Sequence, residues 1–152
     1  MCGIIGIASN KLVASNIIQS LKKLEYRGYD SAGIATIVNG EINEKKCAGR
    51  VDNLEKMLFK NPSNGSLGIG HVRWATHGIP SQVNAHPHSS EEVSVVHNGI
   101  IENSNELKKD LEKKGYKFKS QTDTEVITNL LTDFLKGFDL VDAINKTLKT
   151  LN

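Results

Sequence analysis

The first half of the chain alternates between strand-like and helix-like spacings of apolar residues. A continuous apolar run at residues 3–9 predicts a strand buried on both faces. Apolar residues at helical spacing predict helices over 13–24 and 51–59, and apolar runs predict strands at 32–38 and 67–74. Asn39 and Gly40 separate the run at 32–38 from the segment 41–47, which indicates a β-hairpin.

The second half of the chain contains a long polar segment and a different set of elements. Residues 78–90 are mostly polar, and the apolar run at 93–97 predicts another buried strand, with a shorter strand at 116–118. The last predicted helix covers residues 140–151. Its inward face is expected to carry Leu140, Val141, Ile144, Leu148 and Leu151.

Two helix starts in this half carry a capping signature. Asn103 with Glu106, and Thr122 with Glu125, have the spacing of a capping box, in which each side chain bonds the backbone of the other residue. Gly115 is expected to end the first of these helices. Strands, hairpins and paired helices in this order predict an α+β domain built of layers.

Composition restricts the class of protein. The chain has 152 residues, 38% of them hydrophobic and 24% charged, with a net charge of +2, which suits one globular domain. It has no apolar run of membrane-spanning length and no signal peptide, so no membrane partner and a cytoplasmic location are expected. Two cysteines make no disulfide framework. The lysine clusters at 22–23, 108–109 and 113–114 lie among acidic residues, which favours solvated helix faces and no nucleic-acid partner.

Cys2 stands directly behind the initiator methionine. Removal of Met1 would leave a thiol and a free α-amine on one residue. A terminal amine has a reference pKa near 8, so about a tenth of it is neutral at pH 7 and available as a base for the thiol proton. The alternative is a small buried hydrophobic residue. The first nine residues do not decide between these two interpretations.

Five further segments follow Cys2 in a distinctive order. They are LEYRGYDSAG at 24–33, GHVRWATHG at 70–78, NAHPH at 84–88, VVHNGIIEN at 95–103 and QTDTEVI at 121–127. Together with the Cys2–Gly3 start, they resemble the N-terminal-nucleophile (class II) glutamine amidotransferases over essentially the whole chain. The resemblance implies an αββα sandwich in which Cys2 acts as nucleophile and its α-amine as base.

The resemblance also implies how glutamine is held. Arg73, helped by Thr76 and His77, would clamp the α-carboxylate, since a guanidinium can form two parallel hydrogen bonds. A surface ion pair is the alternative for Arg73. Asp123 would bind the α-ammonium, although a carboxylate in the first turn of a helix is also explained by the helix dipole. L-Glutamine is therefore the expected substrate.

Asn98 and Gly99 would form the oxyanion hole, with the Asn98 amide and the Gly99 backbone N–H as donors. The alternative is that Asn-Gly simply forms a turn. Arg27 and Gly28 would order the chain terminus. Trp74 would lie at the mouth of the ammonia passage, its alternative being a core aromatic residue.

The five histidines suggest a metal site only weakly. No carboxylate or cysteine has companion spacing, and two of the histidines alternate with apolar residues on strands. His86 and His97 are expected to support the geometry of the site instead. We therefore predict no metal and no organic cofactor.

Tyr29 and Asp30 help to distinguish the branches of this family. Phosphoribosyl-pyrophosphate amidotransferases usually carry Gln-Glu there and asparagine synthetases Pro-Asp, so Tyr-Asp favours the branch that makes glucosamine 6-phosphate from fructose 6-phosphate. In that branch, ammonia travels to sugar-isomerase domains, which this chain lacks, and the whole enzyme is expected to be a homo-oligomer. The phosphoribosyl-pyrophosphate branch remains an alternative.

Residues 1–152 are expected to form one incomplete glutamine amidotransferase domain. The sequence stops directly after an amphipathic helix, whereas the family's sandwich continues through further strands. Exposed sheet edges and an uncovered apolar face predict marginal stability or aggregation. A non-catalytic fragment or a split subunit that needs a partner is therefore a further alternative.

Overall fold

The computed structural model describes residues 2–75 and 78–152. Thr76 and His77, both predicted to help bind glutamine, lie outside the described residues, as does Met1. The elements are β1 (Gly3–Ala8), α1 (Ala14–Leu24), a short 3₁₀ helix (Glu25–Arg27), β2 (Ser31–Val38), β3 (Glu41–Ala48), α2 (Val51–Lys60), β4 (Leu67–Arg73), β5 (His88–Ser89), β6 (Ser94–Val95), α3 (Ser104–Lys113), α4 (Glu125–Leu135) and α5 (Leu140–Thr150).

Four antiparallel strands form the main sheet, in the order β1-β4-β2-β3. Gly3 pairs with Val72, and Ser31 pairs with Arg73. Because neighbouring strands run in opposite directions, the beginnings of β1 and β2 lie beside the end of β4. Residues far apart in sequence therefore meet at one end of the sheet.

The helices α1 and α2 cover one face of this sheet, as the apolar spacing predicts. Ile17 and Leu21 of α1 and Leu54 of α2 are fully buried in a cluster that includes Ile34 of β2. Burying each such side chain stabilises the fold by about 1.5–3 kcal/mol. The predicted β2–β3 hairpin is also confirmed, since its turn residues have the positive φ angles of a tight hairpin.

The prediction that β1 is buried on both faces is wrong. Ile5 and Ile7 pack against the core, whereas Ile4 is 40% exposed. Successive side chains of a strand point to opposite faces of the sheet. Among the described residues, the helices cover only the face that carries Ile5 and Ile7.

A second layer contains β5, β6 and the three remaining helices. The expected strand at 93–97 is reduced to the half-buried pair Ser94–Val95, which faces His88–Ser89. Residues 116–118 form no strand. The Tyr116 N–H bonds Leu111 O, and Tyr116 and Phe118 pack against the cluster of Leu111, Val126 and Leu130.

Neither predicted capping box forms. Asn103 occupies the N-cap of α3, but its amide donates to Thr150 O at 2.8 Å and accepts from the Asn152 N–H at 3.0 Å. The Thr122 hydroxyl lies 2.8 Å from His88 Nε2, and the Glu125 carboxylate binds the N–H groups of 119 and 120. Polar side chains near helix starts have several competing backbone partners, and tertiary packing selects among them. Gly115, at φ 91°, does end α3.

The predicted inward face of α5 is also wrong. Ala143 and Thr147 are its buried residues, and Leu151 is half-buried beyond its end. The apolar spacing gave the correct helix, but the apolar stripe lies on its exposed side. The exposed members of the stripe are Leu140, Val141, Ile144 and Leu148.

The lysine-bearing helices are solvated, as predicted. Lys22 pairs with Asp52 and Glu55, and Lys113 pairs with Asp110 on the same helix. Within 2–75 and 78–152, every helix is too short or too polar to cross a bilayer.

Candidate active site

A cavity of about 400 Å³ opens at the end of the sheet where β1, β2 and β4 meet. Five of the residues predicted to bind glutamine or to perform chemistry line it, and they come from four separate parts of the chain. Its walls include Cys2, Arg73, Asn98, Gly99 and Asp123, together with Arg27, Trp74 and His86.

Cys2 is half-buried at this cavity, and its thiol lies against the end of β4. The Trp74 backbone N–H donates to Cys2 Sγ at 3.2 Å, and the sulfur lies 3.6 Å from Trp74 O. Arg27 Nε donates to the Cys2 carbonyl oxygen at 3.1 Å. The residue before β1 is therefore held from two sides.

Gly28 permits this close packing. A Cβ at this position would lie 2.6–2.8 Å from the backbone atoms of Arg73 and Trp74. Such distances are below van der Waals contact, so any larger residue must push the start of β2 away from β4. The segment of Arg27 and Gly28 thus supports both Cys2 and the end of β4.

Arg73, the last residue of β4, is only 4% exposed. Desolvation lowers the pKa of its guanidinium, and the nearby charges of Cys2, Asp30 and Asp123 act in the opposite direction. Its burial contradicts the alternative of a surface ion pair. A buried guanidinium at a cavity is suited to binding a carboxylate.

Asp123 precedes α4 and does not lie in its first turn, since Thr124 is the N-cap. Its Oδ2 accepts the Ile101 N–H at 2.7 Å. This hydrogen bond ties the start of α4 to the loop that carries Asn98 and Gly99. The helix-dipole explanation is therefore incomplete, because the carboxylate is held by a distant loop.

Asn98 and Gly99 lie in the loop after β6. His71 Nε2 lies 2.9 Å from Asn98 Oδ1. A Cβ at Gly99 would lie 2.7 Å from the His97 ring. The glycine therefore permits close packing on the His97 ring.

Three buried histidines cluster at the cavity, and one of them, His86, lines it. The His71 and His86 rings are stacked with centroids 4.3 Å apart, and the His88 ring lies 4.8 Å from that of His86. Burial lowers the pKa of all three, that of His71 to about 4 and that of His88 to about 3. His97 contacts Thr124 Oγ1 at 3.2 Å through Nδ1.

With pKa values lowered by burial, the three clustered histidines are neutral imidazoles at neutral pH. Within residues 2–75 and 78–152, no group of three or more His, Cys, Asp or Glu side chains is arranged to hold a metal ion. His86 lines the cavity, and its Nδ1 accepts the His97 N–H at 3.4 Å.

Trp74 is 45% exposed at the cavity rim, so it is not a core aromatic residue. Its ring meets the Tyr29 ring edge-on, with centroids 5.6 Å apart.

Sequence reasoning missed two contributors to this geometry. The Asp30 carboxylate accepts the Ala75 N–H at 2.8 Å, and the Asp30 N–H donates to Arg73 O, so Asp30 fixes the segment after β4. The sequence pattern assigns His71 no role in the site, because it only alternates with apolar residues along its strand. A histidine at an inward-facing strand position was the one available signal for it.

Comparisons with known proteins identify the family of the chain. A family model for the glutamine amidotransferase domain matches residues 71–149. Because this match covers more than half of the chain, the chain belongs to the glutamine amidotransferase domain family.

The curated relatives identify the branch of the family that the chain resembles. It is 56% identical over 150 residues to glutamine–fructose-6-phosphate aminotransferase (isomerizing) of Clostridium acetobutylicum, covering 97% of this chain and 24% of that protein. The enzyme of that name from Mesorhizobium japonicum is 53% identical, over 99% of this chain and 25% of that protein. The chain thus spans about a quarter of the length of these relatives.

Solved structures confirm the α+β fold of the N-terminal-nucleophile amidotransferases. The glutamine phosphoribosylpyrophosphate amidotransferase of B. subtilis, complexed with ADP and GMP, superimposes with a TM-score of 0.84 at 27% identity, covering 100% of this chain and 33% of that chain. A structure of the allosteric regulatory enzyme of purine biosynthesis gives a TM-score of 0.83 at 29% identity, over 99% of this chain and 33% of that one.

Proposed function

We propose that the chain carries a glutaminase site in which Cys2 hydrolyses the side-chain amide of glutamine. The observation that carries the proposal is the meeting of Cys2, Arg73, Asn98 and Asp123 around one cavity of about 400 Å³. Glutamine is small enough for such a cavity, and its charged ends and reacting amide each have a complementary group there.

Arg73 and Asp123 select a free amino acid in this proposal. The Arg73 guanidinium binds the α-carboxylate, helped by Thr76 and His77, and the Asp123 carboxylate binds the α-ammonium. Both residues line the cavity that Cys2 lines, and the buried guanidinium is supported by the negative charge of Asp123. A peptide glutamine offers neither charge, so free glutamine is the substrate.

The reaction proceeds in two steps after Met1 is removed. The α-amine of Cys2 takes the thiol proton, and the thiolate attacks the amide carbon, so a C–S bond forms and an oxyanion develops. When the C–N bond breaks, the α-ammonium returns the proton to the leaving ammonia. Water, deprotonated by the same amine, then hydrolyses the thioester to glutamate.

The Asn98 amide and the Gly99 N–H stabilise the oxyanion, and losing one such donor typically costs about a hundredfold or more in rate. Arg27 and Gly28 hold Cys2 in place, as their contacts with Cys2 and β4 suggest. His86 supports the floor of the site, and Trp74 stands at the mouth through which ammonia leaves.

In the whole enzyme, we propose that the ammonia converts fructose 6-phosphate to glucosamine 6-phosphate. The names of the curated relatives support this activity, and their greater length leaves room for the isomerase domains that bind the sugar. On this proposal, residues 1–152 are part of the glutaminase domain of a homo-oligomeric enzyme. The phosphoribosylpyrophosphate branch is supported by fold likeness at 27% identity, against 56% for the aminotransferase.

The proposal is tested by the intact mass of the protein before and after treatment with 6-diazo-5-oxo-L-norleucine, an alkylator that resembles glutamine. We expect the mass without Met1 and one adduct on Cys2, which excess glutamine prevents. Cys2→Ala should remain unmodified, and Cys47→Ala should be labelled like the original chain, because Cys47 is buried and burial raises the pKa of its thiol. A processed and folded chain that takes no adduct would refute the proposal and favour a non-catalytic fragment.

A further inference from the structure

His71 contacts Asn98 of the predicted oxyanion hole from an interior strand of the main sheet. It lies on β4, which pairs with β1 and β2 on its two sides, and its side chain is fully buried. Its ring is stacked on that of His86 with an interplanar angle of 18°. Asn98, in contrast, lies in a loop. Among the described residues, the 2.9 Å contact to His71 Nε2 is the hydrogen bond recorded for the Asn98 side chain.

This contact determines the tautomer of His71. Asn98 Oδ1 has no hydrogen, so His71 Nε2 must carry the proton and donate it. Burial keeps the imidazole neutral at neutral pH, and its Nδ1 therefore has only a lone pair. Within the described residues, Nδ1 has no hydrogen-bond partner.

The Nε2–H tautomer of His71 and an Asn98 amide with Oδ1 toward His71 are two parts of one arrangement, and each favours the other. With Oδ1 bound to His71, the Nδ2 hydrogens are the free end of an amide that lines the same wall as Cys2 and Gly99. Rotating the amide by 180° would place two donors against each other at His71. It would also present a carbonyl oxygen, which repels a developing oxyanion.

We propose that His71 is a positioning residue for catalysis: its Nε2–H fixes the amide orientation of Asn98 so that Nδ2 faces the oxyanion. This inference rests on the proposed glutaminase function. His71 touches neither the substrate nor the reacting atoms, and it acts only through Asn98. A strand paired on both sides thus supplies a hydrogen-bond partner for an amide that a loop carries.

Kinetics of glutamine hydrolysis test the proposal through two substitutions of the same residue. His71→Leu should lower kcat by about a hundredfold or more with little change in KM, because a misoriented amide is at least as harmful as a lost donor. His71→Gln, which can place a side-chain N–H near the same position, should recover most of kcat. Equal losses in both variants, or a loss in KM alone, would overturn the proposal.

A double-mutant cycle separates positioning from general damage. In an Asn98→Ala background, His71→Leu should lower kcat no further, because its only target is gone. His88→Leu is the matched control, since His88 is buried in the same histidine cluster but bonds Thr122. Its effect should multiply with that of Asn98→Ala. Multiplying effects for His71→Leu as well would show a merely structural role.

Nitrogen NMR of ¹⁵N-histidine-labelled protein tests the same idea without activity. The His71 signals, assigned by their loss in His71→Gln, should show a neutral Nε2–H tautomer at pH 7. An Nδ1–H tautomer would overturn the inference even in an active protein. An original chain that neither hydrolyses glutamine nor takes the alkylator would instead refute the proposed function.

Discussion

Replacing Asp123 by Asn separates two roles of a single carboxylate. One oxygen accepts the buried Ile101 N–H at 2.7 Å, and the carboxylate is proposed to bind the α-ammonium of glutamine. Asparagine keeps a carbonyl oxygen for Ile101 but removes the negative charge. Alanine removes both.

The expected magnitudes follow from these two interactions. A hydrogen bond to a charged group contributes about 1.5–3 kcal/mol, so Asp123→Asn should raise KM for glutamine about 10- to 150-fold. Its thermal midpoint should change little. Asp123→Ala should show the same rise in KM and also lose about 1–3 kcal/mol of stability, since the Ile101 N–H is left without its acceptor.

Steady-state hydrolysis of glutamine and of 4-carbamoylbutanoate, which lacks the α-amine, provides the assay. The original chain should strongly prefer glutamine. Asp123→Asn should lose most of that preference, because kcat/KM should fall for glutamine and change little for 4-carbamoylbutanoate. Thermal melts of both variants provide the stability control. If Asp123→Asn weakened both substrates equally, the proposed ammonium contact would be refuted.

Two further predictions concern the packing and the titration of the site. Gly28→Ala should lower kcat/KM at least tenfold, because the new methyl group would lie 2.6–2.8 Å from the backbone of Arg73 and Trp74. Gly6→Ala is the control and should retain activity, because its methyl group would have no neighbour closer than 3.9 Å. Equal activity of the two variants would contradict the packing argument. The free energy of unfolding should fall as the pH drops below about 6.5, because His71 and His88 then bind protons in the unfolded chain. In the folded chain, these buried histidines bind protons only near pH 4 and pH 3, respectively. Urea unfolding measured from pH 7.5 to 5 should show a free energy of unfolding that falls by up to about 1.4 kcal/mol per pH unit for each histidine. The slope should be smaller in His88→Leu, and a pH-independent midpoint would refute the prediction.

The sequence pattern correctly predicted those elements that are determined by residues close together in the chain. The stripe of α1 and the Asn39–Gly40 turn are correct, because helix spacing and positive φ angles are set within a few residues. The stripe of α5 gave the helix but the wrong buried side. Burial depends on which residues pack against the helix, and Leu140 and Leu148 stay more than half exposed among the described residues.

The candidate site was also only partly predictable from the sequence. Five ordered motifs indicated which residues belong together, and the structure brings Cys2, Arg73 and Asp123 to one cavity. The contacts that fix their geometry were not visible in sequence. The bonds of Asp30 to Ala75 and of His71 to Asn98 join residues 45 and 27 positions apart.

The pairing of β1 with β4 also has a consequence for the timing of synthesis. Cys2 and Trp74 are 72 residues apart, so the first strand leaves the ribosome long before its partner exists. At about 5–20 residues per second, this interval lasts about 4–14 s. During this time β1 cannot pair with β4, and the start of the chain is open to the removal of Met1 that the proposed mechanism requires. The order of strands in the sheet thus leaves time for the proposed removal of Met1 before β1 can pair with β4.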